Sequence, residues 1–214
     1  MKSLDALLAG ATGLIGRELA AQWHGPGTLH LLVRRPAAAG VSQQAHVVDF
    51  AALPTLPSAT AAFCCLGTTI AVAGSQAAFR AVDFDAVLAF ARAARAAGAS
   101  RFGVVSSLGA SPAATSFYSR VKGEMEAAVA NLGFDSVVLA RPSLLAGNRA
   151  ALGQPSRLGE RLALAVTAPL NGLIPLAWRP IQAATVARAL ARAVAEGQLG
   201  VRVVESAELQ ALGR

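Results

Sequence analysis

The chain has 214 residues, of which 54% are hydrophobic and 14% charged, and its formal net charge is +7. This length fits one domain with a sizeable core, so we expect residues 1–214 to form a single domain. The arginines are scattered and lack interleaved aromatic residues, which argues against a specific nucleic-acid site. No basic leader precedes an apolar core, and prolines and glycines break the longest uncharged stretches, so we expect neither a secretory signal nor a transmembrane segment.

The cysteines and histidines are too few and too scattered to indicate a metal site. Cys64 and Cys65 are adjacent, and we interpret them as small buried hydrophobic residues in a reducing compartment. His24, His30 and His46 share no ligand spacing. The sequence therefore predicts no metal centre and a cytoplasmic location.

The first motif in chain order is a strand, a turn and a helix that share three glycines. A short apolar run leads into Gly10, Gly13 and Gly16, and an apolar helical pattern follows. Gly10 would allow the tight turn out of the strand, Gly13 the close approach of a diphosphate, and Gly16 the packing of helix on strand. The unpaired amides of the first helical turn would bind an anion. This context favours dinucleotide binding over a plain turn.

The remaining predicted elements alternate strands with helices. Hydrophobic periodicity predicts strands at 29–33, 45–48, 61–66, 101–105 and 135–140, and a last one is indicated at 201–205. It predicts helices at 14–24, 77–97, 155–168 and 185–196. The alternation predicts an α/β protein with a Rossmann-type, doubly wound parallel sheet flanked by helices.

Charged and aromatic residues follow two of these strands. Arg34 and Arg35 end the second strand, which in a dinucleotide fold lies beside the adenosine ribose. An acidic residue there would bind the 2′-hydroxyl, whereas arginine would bind a 2′-phosphate, so the pair predicts NADP unless it only aids solubility. After the third strand, Asp49 and Phe50 could flank the adenine, or Asp49 could cap the next turn.

A tyrosine and a lysine four residues apart form the candidate catalytic pair. Tyr118 is the only tyrosine of the chain, and a helix would place it on the same face as Lys122. A neighbouring ammonium favours the phenolate, so this spacing suits proton transfer to or from a carbonyl or alcohol oxygen. Ser107, or failing that Ser106, would hydrogen-bond the substrate oxygen. An ordinary surface pair is the alternative for Tyr118 and Lys122.

Taken in order, these motifs resemble the short-chain dehydrogenase/reductase superfamily, in the atypical branch close to the HIV Tat-interacting protein-like oxidoreductases. The resemblance rests on residues 9–16, 33–36, 63–69, 105–110, 118–124 and 141–142. It implies an NADP-binding fold with a Ser–Tyr–Lys site, and it adds residues to the expected cofactor contacts. These are Thr12, Leu14 and Ile15 in the glycine motif, Leu66 and Gly67 after the fourth strand, Tyr118, Lys122, and Pro142 and Ser143 near the nicotinamide.

One feature departs from that resemblance. Many reductases of the superfamily carry an asparagine in the helix before the fifth strand, where it completes a proton relay. The predicted helix at 77–97 holds Asp83 and Asp85 but no asparagine. Asp83 is therefore expected to face either a ligand or solvent.

The sequence after the sixth strand is less diagnostic, and we expect residues 143–214 to form a cap on the substrate side. Its apolar residues would suit a small apolar carbonyl compound: Leu144, Leu145, Leu170, Leu173, Ile174 and Trp178. The chain is thus predicted to be an NADP(H)-dependent carbonyl reductase or alcohol dehydrogenase with Tyr118 as acid/base. The alternative is an NADPH-binding regulatory or assembly protein that acts through a partner without turnover. Whether a homodimer or another partner forms is left open.

Overall fold

A computed structural model describes residues 5–24, 27–146 and 175–214. Within these ranges the main sheet contains β1 (Ala6–Ala9), β2 (Leu29–Val33), β3 (Gln43–Val47), β4 (Ala61–Cys64), β5 (Arg101–Val105), β6 (Ser136–Arg141) and β9 (Gly200–Glu205). Two short strands, β7 (Leu145–Ala146) and β8 (Ile181–Gln182), pair with each other.

The main sheet is parallel at every pairing and has the strand order β3-β2-β1-β4-β5-β6-β9. The order reverses at β1, so β1 and β4 are neighbours although two strands separate them in sequence. In open α/β sheets, ligands bind beyond the carboxyl ends of the strands at this point. The topology therefore confirms the predicted Rossmann-type fold and locates a crevice beside the glycine motif.

The helices in the described ranges are α1 (Leu14–Ala21), α2 (Ile70–Ala73), α3 (Gln76–Arg80), α4 (Val87–Ala96), α5 (Phe117–Ala130), α6 (Ala183–Glu196) and α7 (Ser206–Leu212). A π-helical segment, Ala81–Ala86, joins α3 to α4 without a break. No helix in these ranges combines the length and the apolar character that a membrane crossing requires.

Helices cover both faces of the sheet, so the central strands are apolar throughout. Successive side chains of a strand face opposite sides. Accordingly, Leu8 joins a cluster with Leu19 of α1 and Leu190 of α6. Leu7 joins a cluster on the other face, which includes Phe90 of α4 and Met125 of α5. The two clusters fix α1 and α5 on opposite faces of the sheet.

Most predicted elements agree with the structure to within a few residues. The predicted helix at 77–97 runs as α3, the π-helical segment and α4, because an extra residue is accommodated within one turn. The predicted first helix ends at Ala21 instead of residue 24. The predicted helix at 155–168 lies outside the described residues.

Candidate active site

The glycine motif forms a tight turn between β1 and α1. Gly10 has a φ of +85°, and a Cβ there would lie 2.5 Å from the carbonyl of Cys65. A Cβ on Gly16 would overlap the carbonyl oxygen of Gly10. Gly13 precedes α1 and has no side chain with which to cap it. The turn therefore presents the first-turn amides of α1 without a protein anion, which fits the diphosphate of a dinucleotide.

A cavity of about 400 Å³ opens beside this turn. Its walls come from segments that meet at the carboxyl ends of the strands. They are Gly13, Leu14 and Ile15 at the start of α1, residues 65–70 after β4 with Val72 of α2, Asp83 of the π-helical segment, Val105 and Ser106 at the end of β5, Tyr118 and Lys122 of α5, and Ser143, Leu144 and Leu145 after β6. The fold thus brings the glycine motif and the candidate catalytic pair to one cavity.

Other predicted cofactor residues lie outside the cavity lining. Arg34 and Arg35 are exposed at the carboxyl end of β2, and Thr12 is exposed in the glycine turn. Asp49 is exposed and accepts a hydrogen bond from the amide of Ala51 at 2.9 Å, so its carboxylate caps the turn after β3.

The predicted cofactor residues after β3 and β6 pack against, or hydrogen-bond with, other residues of the protein. Phe50 packs against the core on the α4 side. Pro142 is buried, and its carbonyl accepts from Leu108 at 3.0 Å. The hydroxyl of Ser143 donates to the carbonyl of Arg179 and accepts from Ser206 at 3.0 Å. The Ser143 hydroxyl is therefore occupied, while the cofactor contacts of all three residues stay a prediction.

Two serines follow β5, and both hydroxyls are buried without a hydrogen-bond partner among the described residues. Ser106 lines the cavity, whereas Ser107 is not part of its lining. A buried hydroxyl without a partner is costly unless a ligand or water completes it. Both serines therefore fit a bound polar group, and the assignment of Ser107 as the substrate-positioning serine stays a prediction.

Lys122 is buried in an ion pair that the sequence did not indicate. Its Nζ lies 2.8 Å from Oδ1 of Asp83 and 3.4 Å from the carbonyl oxygen of Val105. Burial lowers the pKa of Lys122, but the charge of Asp83 and the hydrogen bond to it outweigh the effect of burial, so the net shift of the pKa is upward. Lys122 thus stays a charged ammonium at neutral pH.

Tyr118 lies one turn before Lys122 and is half-buried. The ring of Phe79 packs against its ring with a centroid separation of 5.2 Å. Phe79 is fully buried, so it fixes the plane of the phenol from the α3 side. The arrangement leaves Tyr118 at the cavity wall, where it can exchange a proton with a bound oxygen.

Asp83 is the main residue of the candidate site whose orientation the sequence left undecided. It is completely buried, so the solvated position is excluded. The extra residue of the π-helical segment decides which way Asp83 faces, and a simple helical periodicity cannot predict that.

A second, partly buried network, also unforeseen, anchors α5. Arg141 at the end of β6 donates to both carboxylate oxygens of Glu126, from Nε at 2.9 Å and from Nη2 at 2.6 Å. Its Nη1 donates to Glu205 of β9 at 3.1 Å. Glu126 raises the pKa of Arg141. Because Glu126 lies one turn after Lys122, this network fixes the helix that carries the candidate catalytic pair.

The predicted apolar walls are only partly within the described residues. Leu144 and Leu145 line the cavity, together with Ile70 and Val72 of α2, which were not predicted. Trp178 is 67% exposed. Leu170, Leu173 and Ile174 lie outside the described residues.

The comparisons with known proteins agree with this geometry. The family model described as NAD(P)H-binding matches residues 10–161. The chain therefore belongs to this NAD(P)H-binding family. Among individual relatives, "Protein HTATIP2" of Rattus norvegicus is 33% identical over an alignment of 231 positions, which covers 100% of this chain and 91% of that protein.

Fungal relatives are also similar over much of the chain. "Protein FMP52, mitochondrial" of Eremothecium gossypii is 30% identical and covers 98% of this chain and 97% of its own. The protein of the same name from Coccidioides immitis is 33% identical over 66% of each chain. The names of these relatives contradict the predicted cytoplasmic location, which was inferred from the reduced cysteines and the expected lack of a secretory signal. Free thiols do not distinguish one reducing compartment from another.

Solved structures share the fold at low sequence identity. MoeE5 in complex with UDP-glucuronic acid and NAD has a TM-score of 0.73 and 20% identity, and it covers 94% of this chain and 76% of that one. The dTDP-4-dehydrorhamnose reductase of Bacillus anthracis str. Ames, in complex with NADP, has a TM-score of 0.67 and 12% identity over 96% and 75%. These similarities confirm the predicted Rossmann-type architecture.

Proposed function

We propose that this protein is an NADP(H)-dependent oxidoreductase that moves a hydride between the cofactor and a small apolar carbonyl or alcohol, with Tyr118 as acid/base. One observation carries the proposal: the anion-binding start of α1 and the Tyr118–Lys122 pair line the same cavity. A plain dinucleotide sensor would not need a phenol and a buried ammonium there.

Each residue of the site has a distinct role in this proposal. The bound nicotinamide supplies or accepts the hydride. Tyr118 donates the proton to the carbonyl oxygen during reduction, or accepts it from the alcohol during oxidation. Lys122 holds the ribose beside the nicotinamide and supplies positive charge near the phenol. Ser107, with Ser106 as the alternative, hydrogen-bonds the substrate oxygen.

The preference for NADP over NAD rests on Arg34 and Arg35. Both guanidinium groups are exposed at the end of β2, and neither forms a hydrogen bond or an ion pair with the described residues. A 2′-phosphate at this strand end would receive charge-assisted hydrogen bonds from both.

The proposed class of substrate rests on the cavity walls at α2 and after β6. Ile70, Val72, Leu144 and Leu145 give this part of the cavity an apolar character. Residues 143–214 were expected to contribute the substrate-side cap of a single domain, but within them β9 belongs to the main sheet and α6 packs on that sheet. A small apolar carbonyl compound matches these walls better than a charged or highly hydroxylated substrate.

Tyr118→Phe tests the proposal, because it removes the phenol hydroxyl and keeps the ring. We expect kcat for carbonyl reduction to fall by roughly 10²-fold or more, the usual contribution of a positioned acid. NADPH binding should persist. The measurement is NADPH oxidation against a panel of carbonyl compounds. Ser116→Ala is the matched control, since Ser116 is exposed and its hydroxyl does not cap α5.

Two results would count against this proposal. If Tyr118→Phe kept the wild-type kcat, Tyr118 would not be the acid. If the wild type bound NADPH and turned over no member of the panel, the regulatory alternative would replace the enzyme.

A further inference from the structure

Asp83 lies between two hydrogen-bond donors of the candidate site. Oδ1 is 2.8 Å from Nζ of Lys122, and Oδ2 accepts from the backbone amide of Thr68 at 2.8 Å. The side chains of Asp83 and Lys122 are 0% and 4% exposed. The carboxylate thus joins the segment after β4, which lines the cavity, to the lysine of α5.

Only a carboxylate satisfies both donors. Aspartate offers acceptors on both oxygens, whereas asparagine offers one acceptor and one N–H group. An asparagine would therefore point an N–H toward either Thr68 or Lys122. The π-helical segment places residue 83 in this position, and the neighbouring Asp85 on the same segment is exposed. The π-helical segment therefore positions Asp83 to pair with Lys122 of α5.

The negative charge of Asp83 also changes the electrostatic environment of the Tyr118 phenol. Lys122 alone would present a full positive charge to the phenol from the next turn of α5, and a positive charge favours the phenolate. With Asp83 at 2.8 Å, the lysine and aspartate form a pair without net charge. The phenol therefore faces less net positive charge than it would beside a lone ammonium.

No other titratable group described near Tyr118 offsets the positive charge of Lys122. Cys64 lies in β4, and burial raises the pKa of its thiol to about 12, so it is neutral. Burial likewise raises the pKa of Cys65. On the outer side, Arg80 is paired with Glu124 at 2.5 Å. Arg120 donates to the carbonyls of Ala114 and Thr115, away from the cavity lining.

We propose that Asp83 is a positioning residue that offsets the charge of Lys122 at Tyr118 and so biases the site toward carbonyl reduction. Reduction requires a protonated phenol, whereas alcohol oxidation requires the phenolate. The reaction direction rests on the proposed oxidoreductase function. The electrostatic effect on Tyr118 can be measured without any turnover.

The single tyrosine of the chain makes that measurement direct. Ultraviolet absorbance of tyrosinate during a pH titration of the folded protein reports Tyr118 alone, and Tyr118→Phe gives the blank. In Asp83→Asn we expect Tyr118 to ionise about one pH unit lower than in the wild type, because a nearby negative charge is removed. Asp85→Asn, the matched control on the same π-helical segment, should titrate like the wild type.

Ionisation of Tyr118 at the same or a higher pH in Asp83→Asn would overturn the proposal. If that variant does not fold, the double variant Asp83→Asn/Lys122→Met removes both charges of the pair. Tyr118 should then ionise within about half a unit of the wild type, since the native pair has no net charge. A markedly higher ionisation pH in the double variant would show that Lys122 is not offset, and would also overturn the proposal.

Catalysis supplies an independent readout where a carbonyl substrate exists. The rate of reduction should fall with rising pH as the phenol loses its proton, and this limb should shift to lower pH in Asp83→Asn. If no carbonyl compound is turned over but Tyr118 titrates as expected, the proposed function fails and the role of Asp83 stands. If turnover depends on Tyr118 but the titration is unchanged, only the role of Asp83 fails.

Discussion

At the residue scale, the proposed preference for NADP over NAD rests on two guanidinium groups at the end of β2. Arg34 and Arg35 follow Val33, and β2 pairs directly with β1, which leads into the glycine turn. Their position at the end of β2 could be predicted, because the apolar pattern of a strand shows where that strand ends. Their exposure is what permits both to reach a phosphate, and only the structure shows it.

Arg34→Ala/Arg35→Ala tests this selectivity. We expect the affinity for NADPH to fall by roughly 10- to 100-fold, because charge-assisted hydrogen bonds contribute about 1.5–3 kcal/mol. The affinity for NADH should change little. Titration of both cofactors by fluorescence provides the two dissociation constants, and Arg92→Ala, an exposed arginine of α4, is the control. Equal losses for NADPH and NADH would contradict binding of a 2′-phosphate.

At the element scale, the turn between β1 and α1 depends on close backbone approach as well as on backbone conformation. Gly10 and Gly133 have similar positive φ values, +85° and +76°. A Cβ at Gly133 would meet nothing within 4 Å, whereas at Gly10 it would lie 2.5 Å from the Cys65 carbonyl. A comparison of alanine substitutions at the two glycines therefore distinguishes the cost of the backbone conformation from the cost of steric overlap.

Gly10→Ala and Gly133→Ala form a matched pair for measuring that difference. Gly133→Ala should lower the free energy of unfolding by about 1–2 kcal/mol, the cost of a left-handed conformation. Gly10→Ala should cost about 3 kcal/mol or more, since the backbone that follows β4 must also move, and it should weaken NADPH binding. Chemical denaturation of both variants measures the costs. Equal costs would show that the turn tolerates a side chain.

Among the elements, the strands and the glycine turn could be predicted from the sequence, whereas the orientation of Asp83 and the anchoring of α5 could not. The strands could be predicted because parallel strands buried on both faces are short apolar runs, and the glycine turn because few residues fit its geometry. The inward orientation of Asp83 could not be predicted, since the π-helical segment shifts the helical register. The anchoring of α5 by Arg141 and Glu126 was also missed, because it joins residues of different elements.

At the scale of the whole molecule, the chain order of the motifs carried more information than any one motif. The glycine turn, the two arginines, the serines and the Tyr118–Lys122 pair all follow β-strands or lie on the helix after β5. A parallel sheet brings the carboxyl ends of its strands to one edge, so residues distant in sequence meet there. Ser106, Tyr118 and Lys122 do line one cavity with Gly13.

The central claim is that hydride transfer takes place in this cavity. NADPH deuterated at the nicotinamide C4, prepared separately with each of the two stereochemical labels, tests it with a carbonyl compound that the protein reduces. Mass spectrometry of the alcohol product should show deuterium from one label and hydrogen from the other, and Tyr118→Phe should form little product of either kind. NADPH that stays bound and unoxidised, with no label transferred from either form to any carbonyl compound, would contradict the account.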